Sequence, residues 1–402
     1  MGEGALSDLK VVELGHFISG PYCGKLLADF GAEVIKVEEP RGGDEARRRG
    51  PFPGTSPHPE KSGLFLYLNT NKMSITLNIE SATGREVFKR LMEKADVLIE
   101  DYSPGTLDRL GMGYEYLGRI NPGLVVTSIT PFGQEGPYRY YRAYHLNSFH
   151  ASGQGYLLPT YSPDDRREPV KGAALTGDYD CGLCAAVATL AAIQARRLTG
   201  RGQHVDISKQ EALATLQRVE IGEFPNIGKL EKRTTSRPVV GRLVHCKDGY
   251  EVLMATDDRQ WQGIVSLMDN PEWASEAWCR DMTVRGENAE KINALIGDWS
   301  KDYTKDEVHH RGQTRGALTA PVNTVAELVA SPQLNERGFF VDMVHPEAGS
   351  FRCIGAPFKM SGTPWELRRH TPLLGEHTDE VYCGRLGYAR QDLVRMREAG
   401  VI

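Results

Sequence analysis

Short runs of Val, Ile and Leu punctuate the first 130 residues at regular intervals. Residues 9–14 (LKVVEL), 33–38 (EVIKVE), 97–100 (VLIE) and 124–129 (LVVTSI) each read as a strand, and 74–79 alternates apolar with polar positions at the strand period. Between the first two lies a helical stretch, 22–29, that Pro21 opens and Gly31 closes. Residues 82–94 have the spacing of an amphipathic helix. Strand, glycine turn, helix and strand in that order make a βαβ unit. The chain is therefore expected to be α/β, with a parallel sheet of Rossmann-like topology whose ligands sit at the carboxyl ends of the strands. No G-x-G-x-x-G follows the first strand, which weakens a dinucleotide reading.

Further along, residues 181–197 carry Ala, Leu, Val and Ile on every face, so this helix is expected to be buried all round. Arg196 and Arg197 suit its C-terminus, and Gly200 turns the chain into a strand-like segment at 203–207, with a helix expected over 205–219. The stretch 228–237 reads as a polar linker. Beyond it the pattern changes to a hairpin around Lys247-Asp248-Gly249 and charged helices carrying Trp261, Trp273, Trp278 and Trp299. A helix near Glu327, strands at 339–344 and 351–354, and a last helix at 391–398 complete the chain. The expected organisation is a large Rossmann-like domain from 1–225, a smaller α+β domain over 238–321, and a return to the large domain over 322–402.

A chain of 402 residues suits two domains. A net charge of −5 without a basic stripe excludes a nucleic-acid binder. The N-terminal residues lack a signal pattern, and no apolar run is seen to approach the ~18 residues of a spanning helix. A cytoplasmic protein without a membrane partner is expected. Seven scattered cysteines argue for free thiols. Cys181 and Cys184 have C-x-x-C spacing in apolar surroundings with no second pair, so packing is expected rather than redox or metal chemistry, and no metal site is expected.

Chemistry concentrates at Gly177-Asp178. An acid before an apolar helix is most often an N-cap, and Asp180 fits that role. Asp178 differs, because Gly177 allows close approach and the helix dipole would keep a carboxylate ionised as a nucleophile. His16 and the pair Asp101-Tyr102 stand at the carboxyl ends of strands, where ligands dock, although a lone His is more often a hydrogen-bonded structural residue. The triplet Arg47 to Arg49 reads either as a solvated loop or as a partner for phosphate or a carboxylate.

These residues carry a resemblance. Gly177-Asp178-x-x-x-Gly182 leading to Thr199-Gly-Arg-Gly-Gln203 resembles the class III CoA-transferases, the formyl-CoA:oxalate and carnitine CoA-transferase (CaiB/BaiF) family. Val12-Glu-Leu-Gly-His16 with Gly20-Pro21, the block Leu27 to Glu38, Pro104 to Gly111, Gly355 to Phe358 and Pro372 to His377 agree in order. The resemblance implies a covalent CoA-transferase with Asp178 as nucleophile, acyl-CoA and an organic acid as substrates, and no permanently bound cofactor. It implies CoA contacts at His16, Phe17, Leu77, Asp101, Tyr102, Arg109 and Arg142. Asp101 stands where the family usually has Asn, which puts that contact in question, and Arg142 replaces a usual Lys. Tyr138, Tyr140, Tyr141 and Tyr144, interleaved with Arg139 and Arg142, then suit adenine stacking and phosphate pairing.

The family further implies an interlocked dimer, either a homodimer or a heterodimer with a paralogue. Arg49 and Tyr144 are expected at the acid substrate, with succinyl-CoA as a candidate donor. The glycine-rich lid of the oxalate branch has no counterpart in 238–258, which lowers oxalate as acceptor. Two alternatives stand beside the transferase: a 2-methylacyl-CoA racemase or isomerase, and a non-catalytic CoA-binding subunit. The racemase histidine position aligns with Tyr144, with His145 one residue along, which favours the transferase.

Overall fold

Six strands run parallel in the order β3-β2-β1-β4-β5-β6: β1 (Lys10–Leu14), β2 (Glu33–Glu38), β3 (Lys72–Thr76), β4 (Val97–Glu100), β5 (Val125–Thr130) and β6 (His204–Ser208). The structure is a computed structural model and describes residues 4–402 except 55, 163, 165, 218 and 236–238. The strands carry apolar residues on both faces because helices cover both. On one face Val12, Leu14, Ile75 and Leu98 pack with Val87, Phe88 and Leu91 of the Ala82–Met92 helix. On the other, Val11, Val34, Val97 and Val125 pack with Leu27 of the Ser19–Asp29 helix and with Ala185, Ala186 and Ile193 of the Thr176–Thr199 helix. Strand order reverses between β1 and β4, where such a sheet opens a crevice beyond its carboxyl ends. This is the α/β, Rossmann-like architecture that the sequence pattern predicts.

Contacts divide the chain into two compact units. The first comprises Met1–Leu158, Pro169–Glu231 and Arg337–Ile402; the second comprises Pro159–Glu168 and Lys232–Glu336. In the second unit β7 (Leu243–Cys246), β8 (Gly249–Met254) and β9 (Leu318–Pro321) form an antiparallel sheet. Trp261, Ile264, Ile292 and Val308 are buried against it. The expected domain boundary at Pro238 and the N-terminal residues 1–3 lie outside the described residues. The C-terminal segment adds an antiparallel pair to the first unit, β10 (Phe340–His345) with β11 (Gly349–Ile354).

Several elements differ from their expected extents, each for a physical reason. Strand β3 starts at Lys72 rather than 74, because the Lys72 ammonium is buried and paired with Glu13 at 2.7 Å. The helix expected over 205–219 begins only at Lys209 and stops at Ala214; pairing with β5 holds the chain extended up to Ser208, whose hydroxyl caps the helix by accepting the Glu211 N–H. The Ala-rich helix begins at Thr176, so Asp180 lies inside it and is not its N-cap; Leu175 holds that position without a side-chain bond. Nor is this helix buried all round, since Leu183, Val187 and Leu198 are exposed. It is also, contrary to expectation, long and apolar enough to cross a membrane by length and composition. One face of it, with Ala185, Ala186, Ala192 and Ile193, packs on the sheet.

Candidate active site

Asp178 is the third residue of the Thr176–Thr199 helix and is 3% exposed. Its Oδ1 accepts from Lys209 Nζ at 2.8 Å and from Ser19 Oγ at 3.3 Å. Ser19 Oγ also reaches the Asp178 carbonyl at 3.0 Å, tying the Ser19–Asp29 helix to the first turn of the longer one. Oδ2 instead faces His145 Nδ1 at 3.6 Å, beyond hydrogen-bond length. Burial lowers the pKa of His145 against the pull of Asp178, and neither ring nitrogen has a hydrogen-bond partner among the described residues. The balance lies toward the neutral ring. Burial works against the charge on Lys209 as well, but there the Asp178 carboxylate outweighs it and the ammonium pKa rises.

The residue beside Asp178 is thus His145 and not Tyr144. Tyr144, which aligns with the racemase histidine position, is 67% exposed. Tyr144 is the N-cap of the His145–Ala151 helix, and its extended backbone turns the side chain away from the one that follows it. Both residues line a cavity of about 710 Å³ with Phe17, Arg49, Leu64, Tyr67, Lys171 and Tyr179, and Asp178 lies directly behind the His145 and Tyr179 side of that wall. The cavity is mostly apolar, with two cations, Arg49 and Lys171.

A second cavity, of about 320 Å³, opens at the carboxyl ends of β1, β2 and β4. It is lined by His16, Leu77, Asn78, Tyr102 and Thr106 among others. The turn 15–18 separates the two, with His16 facing one cavity and Phe17 the other. Phe17 has φ of +62°, a conformation that costs a non-glycine residue about 1–3 kcal/mol and must be held. Its N–H donates to Asp44 Oδ1 at 2.9 Å. Asp44 is fixed in turn by buried Lys36 at 2.7 Å, which also pairs with Glu13 at 2.9 Å and donates to the Gly15 carbonyl at 2.8 Å. Burial pushes the Asp44 carboxyl up, yet Lys36 and the Ala46 N–H outweigh it and hold it at about 2.

Asp101 is used within the same turn. Both its oxygens accept the His16 N–H at 2.9 Å, and His16 Nδ1 lies 3.2 Å from Oδ1. Burial lowers the His16 pKa, but the Asp101 carboxylate overrides it and the net shift is upward. Of the arginine triplet, Arg47 is fully buried on Glu38 and Glu60, Arg48 donates to the Gly42 carbonyl, and Arg49 lines the larger cavity. Arg109 and Arg142 are exposed and line neither cavity. Cys181 is buried and Cys184 exposed, both as free thiols. Among the described residues no cluster of His, Cys, Asp and Glu is arranged to hold a metal. Sequence reasoning missed Lys209 and Ser19 altogether. Lys209 follows directly on β6, so the rule that singled out His16 and Asp101 at strand ends would have reached it had β6 not been overlaid with a helix.

The family model for CoA-transferase family III matches residues 6–378. The chain is 33% identical over 417 residues to the formyl-CoA:oxalate CoA-transferase of Streptomyces coelicolor, covering 99% of each. It is 32% identical over 403 residues to the succinyl-CoA–D-citramalate CoA-transferase of Chloroflexus aurantiacus, covering 99% of this chain and 98% of that one. The crystal structure of a CaiB/BaiF family protein from Brucella suis superposes with a TM-score of 0.84 at 30% identity, over 96% of this chain and 100% of that one. Agreement over nearly the full length, in sequence and in fold alike, leaves one conclusion: the chain belongs to CoA-transferase family III and is an enzyme whose substrates are CoA thioesters.

Proposed function

We propose that this enzyme moves CoA from a donor acyl-CoA, with succinyl-CoA the leading candidate, to a carboxylic acid acceptor by covalent catalysis on Asp178. Oδ2 attacks the thioester carbonyl, the C–S bond breaks, and CoA leaves as the thiolate, giving an acyl-aspartyl anhydride. The thiolate then attacks the aspartyl carbonyl and expels the donor acid, which leaves an aspartyl-CoA thioester. The acceptor carboxylate repeats these two steps in reverse and departs as the new acyl-CoA. Anhydride and thioester are close in energy, so each exchange is near balance. The observation that carries this reading is the Asp178 carboxylate itself: buried behind an apolar cavity, with one oxygen fixed by Lys209 and Ser19 and the other bearing no hydrogen bond among the described residues.

The nucleotide end of CoA is assigned to the cavity at the strand ends, with His16, Leu77 and Tyr102 as its walls and Arg109 and Arg142 as phosphate partners from outside. Phe17 lies where the two cavities divide, and Asp101 acts by holding the His16 turn. The acyl group and the acceptor acid take the larger cavity, with Arg49 for a second carboxylate and Tyr144 at its wall. The donor assignment draws support from the succinyl-CoA-using relative. The first unit is thus the CoA-binding domain and the second the smaller domain. The working enzyme is a dimer with a second copy or a paralogue, because the Glu220–Ile227 helix buries none of its residues within one chain. Its free thiols suit the cytoplasm.

A second reading is favoured by one observation, the His145 ring 3.6 Å from Asp178, which would suit proton exchange at the carbon α to the thioester. One experiment separates the two. The enzyme is incubated in D2O with succinyl-CoA or a 2-methylacyl-CoA and a panel of carboxylates, and products are followed by mass. New CoA esters that vanish in Asp178→Asn support the transfer. Deuterium uptake at the α-carbon without new esters would overturn it in favour of the racemase reading.

A further inference from the structure

We propose that Lys209, assisted by Ser19, is a further catalytic residue: it carries the negative charge that develops on Asp178 Oδ1 whenever the aspartyl carbonyl is attacked. The proposal rests on the covalent role of Asp178 given above and adds a group to it. Lys209 is the first residue after β6, and its side chain is 20% exposed. Its ammonium and the Ser19 hydroxyl converge on the same oxygen, Oδ1, at 2.8 and 3.3 Å, and neither touches Oδ2.

That asymmetry has chemical content. If Oδ2 attacks the acyl-CoA, Oδ1 remains as the aspartyl carbonyl oxygen of the anhydride and of the thioester. When the thiolate attacks Cγ, a Cγ–S bond forms and the carbonyl electron pair moves onto Oδ1. When the carbonyl re-forms, the Cγ–Oδ2 bond breaks and the donor acid departs with that electron pair and with Oδ2. No proton is consumed. Donors aimed at such an oxygen are worth far more in the transition state than in the ground state, because they are already in place when charge appears. Acylation also removes the negative charge that Lys209 was paired with. The ammonium is then left uncompensated in a largely buried site, which favours renewed charge on Oδ1 and attracts the thiolate.

In the donor half of the reaction Lys209 also favours attack at one of the anhydride's two carbonyls, the aspartyl one. Attack at the acyl carbonyl only returns the starting acyl-CoA, whereas attack at Cγ moves the reaction forward, and Oδ1 alone is polarised. A counter-ion that merely held Asp178 in place would affect both attacks equally.

Hydroxylamine distinguishes these cases when added with donor acyl-CoA and no acceptor. It converts the aspartyl-CoA thioester to a protein hydroxamate at Asp178 and cleaves the anhydride to free acyl hydroxamate, with Asp178→Asn as the blank. In Lys209→Met the protein hydroxamate is expected to form 10²–10³-fold more slowly, the usual loss for one such donor. Acyl hydroxamate above the blank should persist. Lys209→Arg should recover much of the protein hydroxamate, and Ser19→Ala should show a smaller loss of the same product. Parallel loss of both products, or no loss of either, would overturn the role of Lys209 while leaving Asp178 as nucleophile. A wild-type enzyme that gives no hydroxamate at Asp178 overturns the covalent reading itself. If Lys209→Met does not fold, Ser19→Ala decides: equal loss of both products sinks the proposal.

Discussion

The Arg47 guanidinium has no exposed surface and spends every nitrogen on protein. It reaches Glu38 at 2.7 and 2.8 Å, Glu60 at 2.5 Å and the Pro372 carbonyl at 3.2 Å, with the Phe65 ring 3.7 Å away. Removing it strands two carboxylates, one of them wholly buried. Arg47→Met is therefore expected to cost ~3–5 kcal/mol of stability, read from denaturant unfolding. Arg49, two positions on and exposed, should tolerate Ala with an unchanged midpoint in the same assay. An unchanged midpoint for Arg47→Met would show that the network holds nothing. Adjacent letters in a basic triplet carry no sign of this division of labour, because it depends on Glu38, Glu60 and Pro372 arriving from elsewhere in the chain.

Strands β1, β2, β4 and β5 were legible because apolar side chains on both faces leave short, β-branched runs bounded by turn residues. β3 was displaced because it opens on a buried Lys72, which any hydropathy rule sends to the surface. The start of the Thr176–Thr199 helix was hidden for a related reason: its first turn is held by Ser19, 159 residues earlier, instead of by a local cap. The same helix explains the spacing Gly177-Asp178-x-x-x-Gly182. A Cβ on Gly182 would come 2.7 Å from the Ser19 carbonyl and 3.1 Å from Tyr22 Cβ, so only glycine lets the two helices meet. Gly182→Ala should push them apart, costing ~1–3 kcal/mol in unfolding and displacing Ser19 from Asp178. Turnover should fall while affinity for free CoA, measured by calorimetry, holds. Full activity in that variant would mean that the close approach is not what positions the carboxylate.

In a single chain the Thr176–Thr199 helix leaves Leu183, Val187 and Leu198 exposed, and the Glu220–Ile227 helix shows Ile221, Phe224 and Ile227 to solvent. The dimer proposed above accounts for these exposed apolar side chains by covering them. Sedimentation should give twice the 44.6 kDa chain mass, and Val187→Asp should shift it toward the monomer; a wild-type monomer at micromolar concentration would remove the case for a dimer. The first unit also has a history in time as well as a shape. Asn71 Oδ1 accepts the N–H groups of Arg368 and Arg369 at 2.7 and 3.1 Å, and the Ser74 carbonyl accepts that of His377 at 2.9 Å. Arg368 follows Asn71 by 297 residues. A ribosome adding ~5–20 residues per second needs roughly 15–60 s to make that stretch. Throughout that interval β3 is an edge strand without its cover, the condition under which strands mispair with a neighbouring chain. Crowded synthesis therefore tests this protein before any substrate does, and slow translation lengthens the exposure.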